Sequence, residues 1–166
     1  MSADPLARPE RLVRRVYSYT AYRLGDGPDA EDATQQTFER ALRYRETYDA
    51  DKGEPVAWLL GIARRCVDDV AKARPTHAEI DTEMPDAGDL EPQAIGRLDL
   101  RQAVLSLDER SRELIALRYG ADLTARQIAE ILGERTNTVE VALHRAIAHL
   151  REKLGDVPGD IRPVRV

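Results

Sequence analysis

A chain of 166 residues with 42% hydrophobic and 33% charged side chains has apolar material for one ordinary domain or two small ones, and too little for a large multidomain enzyme. Its formal net charge of -5 argues against general affinity for a polyanion. No run nears the roughly 18 uninterrupted apolar residues of a membrane-spanning helix. The first residues carry Arg8, Arg11, Arg14 and Arg15 with no apolar run behind them, unlike a secretory signal, so a cytoplasmic protein is expected.

Aromatic residues are only 5% of the chain, period-two alternation is absent, and apolar residues recur at spacings of three and four, which predicts an all-α fold. The first helix spans about Pro9 to Arg23, with Leu12, Val16 and Tyr19 on one face, and ends at the breaker Leu24-Gly-Asp-Gly-Pro28. The second starts near Asp29, read as its cap, and runs to about Arg45. It buries Ala30, Ala33, Thr34, Phe38 and either Ala41 or Leu42. After the turn-rich stretch Tyr48 to Gly53, a third helix opens at Pro55 and carries Val56, Leu59, Leu60, Ala63 and Val67 towards Ala73. Trp58, four residues before Ile62, falls on its buried stripe.

Charge is distributed unevenly. Residues 1–74 hold 13 cationic and 13 acidic side chains, residues 75–96 hold none and 6, and residues 97–166 hold 12 and 11. The middle segment has three prolines and few apolar residues, too few to offset the entropy of ordering. The expected organisation is therefore a domain over 8–74, a flexible acidic linker over 75–96, a second domain over 97–154, and a disordered tail over 155–166.

Within the second domain, Ile95 to Leu105 reads as one helix and Asp108 to Tyr119 as another, capped by Asp108 and ended by Gly120. Thr124 with Gln127 three positions later forms a capping box, and Gly133 ends the next helix. From about Asn137 a last helix carries Val139, Leu143, Ile147, Leu150 and Leu154 as one apolar stripe. A short helix, a glycine turn and a longer amphipathic helix make a helix-turn-helix, which presents the start of its second helix to a major groove. The candidate DNA-reading residues are Thr136, Asn137, Thr138, Glu140, Val141, His144 and Arg145, with Thr124, Arg126 and Gln127 at the start of the preceding helix. Glu140 can accept from a cytosine amino group. The same residues also fit a helical hairpin in which Asn137 and Glu140 form a capping pair.

The run Leu107-Asp-Glu-Arg-Ser-Arg-Glu-Leu-Ile-Ala-Leu-Arg-Tyr119, with Leu123-Thr124, Ile128-Ala129, Leu132-Gly133, Thr138-Val139, Leu143, Arg145-Ala146 and Leu150-Arg151, resembles region 4 of sigma-70-family factors. Upstream, Ala30-Glu-Asp-Ala-Thr-Gln-Gln-Thr-Phe38, Trp58-Leu59, Ile62-Ala63-Arg64 and Asp69 resemble region 2, in the order found in the short extracytoplasmic-function (ECF) group. The resemblance covers about Leu12 to Leu154. It implies a promoter-specific initiation factor that binds core RNA polymerase through Glu31, Asp32, Gln35 and Glu39. It further implies capture of melted -10 bases by the segment holding Tyr48, Asp49, Arg64, Arg65, Asp69, Lys72 and Arg74, -35 reading by the helix-turn-helix, and an anti-sigma partner. Tyr48 is the stacking candidate and the arginines and lysine are phosphate partners. The chain departs from many members of the family at Arg65, Asn137, Glu140 and Ala142, where Asn, Gly and basic residues are frequent.

A lone cysteine, Cys66, and three scattered histidines, His77, His144 and His149, offer neither a disulfide nor a metal cluster, so no cofactor, metal or catalytic residue is expected. A stand-alone helix-turn-helix regulator and a sigma-like adaptor that acts by protein contacts are the competing readings.

Overall fold

The computed structural model describes residues 4–74 and 100–154, all of whose regular structure is helical. The predicted acidic linker, the start of the helix predicted from Ile95, and the predicted tail lie outside the described residues. The elements are α1 (Pro9–Leu24), α2 (Pro28–Tyr44), a 3-10 turn Arg45–Thr47, α3 (Pro55–Ala73), α4 (described over 100–105), α5 (Glu109–Ile115) running into a π-helical turn Ala116–Gly120, α6 (Ala125–Leu132) and α7 (Thr136–Leu154).

Each N-terminal helix opens with proline in its first turn, where the missing N–H costs nothing and the fixed φ suits the helix. In α2 this displaces Asp29 from the cap position: Gly27 caps, and Asp29 sits in the first turn with Glu31. The inner face of α2 is built from small residues, Ala30, Ala33, Thr34, Thr37 and Ala41. Their hydroxyls are satisfied locally. Thr34 Oγ1 donates to Ala30 O at 2.7 Å, Thr37 Oγ1 donates to Ala33 O at 2.7 Å, and Thr20 Oγ1 of α1 lies 2.9 Å from Thr34 Oγ1. Ala41, not Leu42, is the buried member of the predicted pair, and Leu42 is 58% exposed.

In the C-terminal half the caps fall where the sequence puts them. Asp108 accepts from Ser111 N at 2.9 Å, and the Ser111 bonds hold its carboxyl below the usual range. Thr124 and Gln127 form the reciprocal capping box. Gly133 adopts the left-handed φ of +68° that ends α6, a conformation that only glycine reaches without strain. The helix predicted from Asp108 to Tyr119 is instead divided. Its last turn is π-helical, with Ala121 N donating to Ala116 O at 2.9 Å, an arrangement usually confined to single turns.

The two halves pack together. One continuous apolar cluster contains Val16 and Tyr19 of α1, Leu59, Leu60 and Val67 of α3, and Leu114, Leu117, Leu123, Ile128, Val139 and Leu143 of the C-terminal half. A smaller cluster, Ala103, Val104, Leu107, Ile115, Ala146 and Leu150, belongs to the C-terminal half alone. Thr124→Ala removes the capping oxygen of α6 and is expected to cost about 1 kcal/mol, read as a lower urea midpoint at unchanged m-value.

Candidate functional site

Three surfaces carry the residues singled out from the sequence. The first is the outer face of α2, where burying the small residues leaves Glu31, Asp32, Gln35 and Glu39 exposed. Residues four apart share a helix face. Gln35 Nε2 donates to Glu39 Oε1 at 2.9 Å, and Gln36 Nε2 donates to Asp32 Oδ2 at 3.3 Å. The face thus offers preordered carboxylate acceptors suited to arginines of a partner helix. Leu42 lies seven residues beyond Gln35 on the same face, and exposed Tyr44 follows at the end of the helix. Sequence reasoning treated Leu42 as a core candidate and passed over Tyr44, although an apolar residue continuing a polar stripe was the available signal.

The second surface is α3 with the preceding loop. Its expected cations are not presented alike. Arg65 and Lys72 are exposed, on either side of exposed Asp68 and Asp69. Arg64 instead turns inward, with Nε donating to Glu113 Oε1 at 2.7 Å. Arg74 Nε donates to Asp29 Oδ2 at 2.7 Å and its Nη2 donates to Leu24 O at 2.8 Å. Asp69 accepts from Arg40 Nη2 at 2.7 Å. Arg64, Arg74 and Asp69 therefore have partners within the chain, and the face they were expected to share is close to neutral.

Tyr48 is half-buried. Its ring stands 5.6 Å from that of Trp58 at 60°, and its hydroxyl donates to Gly53 O at 3.0 Å. Asp49 orders the same turn by accepting from Asp51 N at 3.0 Å. The loop is thus fixed from within, and Trp58 is half-buried on the stripe that its spacing predicted.

The third surface is the helix-turn-helix. Val139 and Leu143 point into the core, which leaves Thr136, Asn137, Thr138, Glu140, Val141, His144 and Arg145 exposed over the first turns of α7. Val141 is 44% exposed and so is available for an apolar contact. The helix begins at Thr136, so Asn137 already lies inside its first turn and cannot be the cap residue of an Asn137–Glu140 pair. Glu140 is free of that role. Thr124 and Gln127 are occupied with capping α6, and Arg126 pairs along the helix with Glu130 at 3.5 Å. Behind the turn, Arg110 forms an ion pair with Glu134 that pushes the Glu134 carboxyl down and the guanidinium up. This ties α5 to the turn preceding α7.

Cys66 is buried, and burial pushes its thiol up, which disfavours the reactive thiolate. Among the described residues no group of three or more His, Cys, Asp or Glu is placed to hold a metal ion, and no helix is long and apolar enough to cross a membrane.

Sigma-70 region 2 matches residues 10–75, covering α1 to α3, and Sigma-70, region 4 matches residues 97–150, covering the helix-turn-helix. The chain is 32% identical over 157 residues to the ECF RNA polymerase sigma factor SigK of Mycobacterium ulcerans, spanning 87% of this chain and 82% of SigK. The chain belongs to the ECF sigma factors of the sigma-70 family.

It is also 32% identical over 149 residues to the ECF sigma factor BldN of Streptomyces coelicolor, covering 85% of this chain but only 56% of BldN. With SigW of Bacillus subtilis it shares 28% over 160 residues. CnrH, solved in complex with the cytosolic domain of CnrY, has a TM-score of 0.59 at 25% identity, covering 90% of this chain and 84% of CnrH. As a sigma factor the chain directs transcription initiation, and core RNA polymerase and promoter DNA are its partners. The exposed face of α7 is available for contact without cost to the fold. His144→Ala and Arg145→Ala should each leave stability within about 0.5 kcal/mol of the parent, whereas Leu143→Ala should cost about 2–5 kcal/mol, both measured by urea denaturation.

Proposed function

We propose that the three surfaces divide the work of a sigma factor. The α2 face of Glu31, Asp32, Gln35 and Glu39 docks on a helical element of core polymerase through charge-assisted bonds to arginines, with Leu42 extending the contact. The α3 face with the Tyr48–Gly53 loop engages the melted -10 element, where Arg65 and Lys72 meet phosphates. The start of α7 reads the -35 element. The observation that carries this reading is that α7 exposes a continuous face from Thr136 to Arg145 within a segment that matches Sigma-70, region 4.

The chemistry of that face favours selective reading over phosphate attraction. Asn137 suits an adenine edge, Arg145 a guanine edge, Glu140 a cytosine amino group and Val141 a thymine methyl. Arg145 is the lone lysine or arginine among them, and the chain as a whole carries -5. Non-specific affinity, which scales with the number of neutralised phosphates, is therefore low, as suits a subunit that meets DNA as part of a larger enzyme. The protein works in the cytoplasm and performs no catalysis of its own. CnrH was solved with the cytosolic domain of CnrY, and an anti-sigma partner of that kind is proposed for this chain.

Run-off transcription from a pool of genomic fragments tests the proposal. Core polymerase plus this protein should give discrete start sites with shared upstream sequence, absent with core alone. Binding to core without any start would establish the adaptor reading, and DNA binding without polymerase the stand-alone regulator. Asp32→Lys should weaken binding to core at least tenfold in a pull-down titration while leaving helicity unchanged. Glu140→Ala should relax preference at a single -35 position by about 1–3 kcal/mol, scored by competition between promoters that differ at that base.

A further inference from the structure

The link between the two helices of the helix-turn-helix is short. α6 ends at Leu132 and α7 begins at Thr136, so Gly133, Glu134 and Arg135 alone set how the second helix leaves the first. The backbone of the link is bonded twice to α6, since the Gly133 and Glu134 amides both donate to Ala129 O, the latter at 2.9 Å. Arg135 O then accepts from Val139 N at 3.2 Å and opens α7. Of the side chains in the link, glycine has none to offer and Arg135 is exposed. Glu134 is the one that reaches the body of the domain, through its ion pair with Arg110 in the first turn of α5. The Arg110 hydrogen bond holds the Glu134 carboxyl below its ordinary range, so the pair is charged at neutral pH.

α5 is a firm base for this tie. Asp108 caps it by accepting from Ser111 N at 2.9 Å, its Leu114 lies in the main core, and its Ile115 packs with Ala146 and Leu150 of α7. Along its length α7 is thus held by apolar contacts, Val139 and Leu143 near its start and Ala146 and Leu150 further on. Such adhesion is non-directional. The Arg110–Glu134 pair adds a directed bond, and adds it at the end of the helix where the candidate base-reading residues begin.

Given the -35 reading proposed above for α7, we propose that Arg110 and Glu134 are positioning residues for that reading. The pair sets the height and roll of α7 against α5, and with it the register of Asn137, Glu140, Val141 and Arg145 on the base edges. Neither residue needs to touch DNA. Glu140 stands six positions beyond Glu134, about 9 Å along a helix at 1.5 Å per residue, and a displacement of the helix start is carried to each reading side chain. Hydrogen bonds to base edges hold only within roughly 2.7–3.2 Å. A shift of about 1 Å therefore breaks the contacts that carry sequence preference. The pair also matches the Glu134 charge beside the start of α7, where an unpaired carboxylate would repel phosphates. With side chains 44% and 26% exposed, an ion pair adds little to global stability, so its loss is felt in reading and not in folding.

The test uses holoenzyme reconstituted from core polymerase and the full chain. Its templates are a promoter fragment recovered by run-off transcription and the same fragment with its -35 element scrambled. The readout is the ratio of transcript from the intact to that from the scrambled fragment. Arg110→Ala should lower this ratio at least threefold and Arg110→Glu at least fivefold, with binding to core unchanged and helicity retained by far-UV circular dichroism. Adding Glu134→Arg to Arg110→Glu restores opposite charges in reversed order. The ratio should then return to within twofold of the parent, a rescue that a general loss of packing does not give. Arg110→Lys, which keeps the charge, should retain at least half of the parent ratio. Unchanged ratios in Arg110→Ala and Arg110→Glu would overturn the proposal, as would a loss that the reversed pair does not restore or one matched by an equal loss of core binding. A parent that transcribes both fragments equally removes the -35 reading and this role with it, whereas a parent that discriminates no better than its Arg110 variants removes the role alone.

Discussion

The buried carboxylate of Glu113 is the constraint on which the arrangement of the described helices depends. A carboxylate removed from water costs several kcal/mol unless its charge is matched and its lone pairs are filled, and here both are achieved by side chains from two other helices. Tyr19 and Arg23 stand four residues apart on α1 and so reach the same point from one face, while Arg64 reaches it from α3. Because three directions converge on two oxygens, the rotation of α1 and the height of α5 are fixed together. The apolar residues around them, Val16, Leu114 and Leu117 among others, supply adhesion without direction, and the polar cluster supplies the register.

Much of the fold was legible from the chain itself, for reasons that are local. Proline at helix starts, the Thr124–Gln127 box and the glycine after Leu132 act within a few residues, so their meaning survives when the rest of the structure is unknown. The spacing of Leu59, Leu60, Ala63 and Val67 assigned the inner face of α3 in the same way. What escaped was non-local. Glu113 reads as one more charged residue on an amphipathic helix, and nothing nearby marks it as buried, because its donors are 49 to 94 positions away. Arg64 was read as a phosphate partner for the same reason. The exposed face of α7 was legible because a helix that buries one stripe must expose the other, whereas the pairing that removes Arg64 and Arg74 from the exposed face of α3 was not.

The three surfaces differ in how they are made ready for a partner. The α2 face is ordered by hydrogen bonds along its own helix, the Tyr48 loop by contacts within itself and with Trp58, and the α7 face by the ion pair that fixes the turn before it. The first and third are held by side chains that do not fill the interior, whereas Trp58 serves both the loop and the inner stripe of α3. The net charge of -5 leaves little long-range attraction for a polyanion.

The π-helical turn Ala116–Gly120 carries a further implication. It accommodates one residue more than an ordinary helical turn would, and each residue in a helix advances the side-chain direction by about 100°. Leu117 and Gly120 lie four and seven residues beyond Glu113, so all three share the face turned towards α1 and the core. Shortening the segment by one position would rotate Gly120 by about 100° relative to Glu113 and turn it away from α1, while every residue type kept its chemistry. The spacing between Glu113 and Gly120 is in this sense a coded quantity in its own right, and it forbids length variation in a stretch where substitution alone would seem the only route to change.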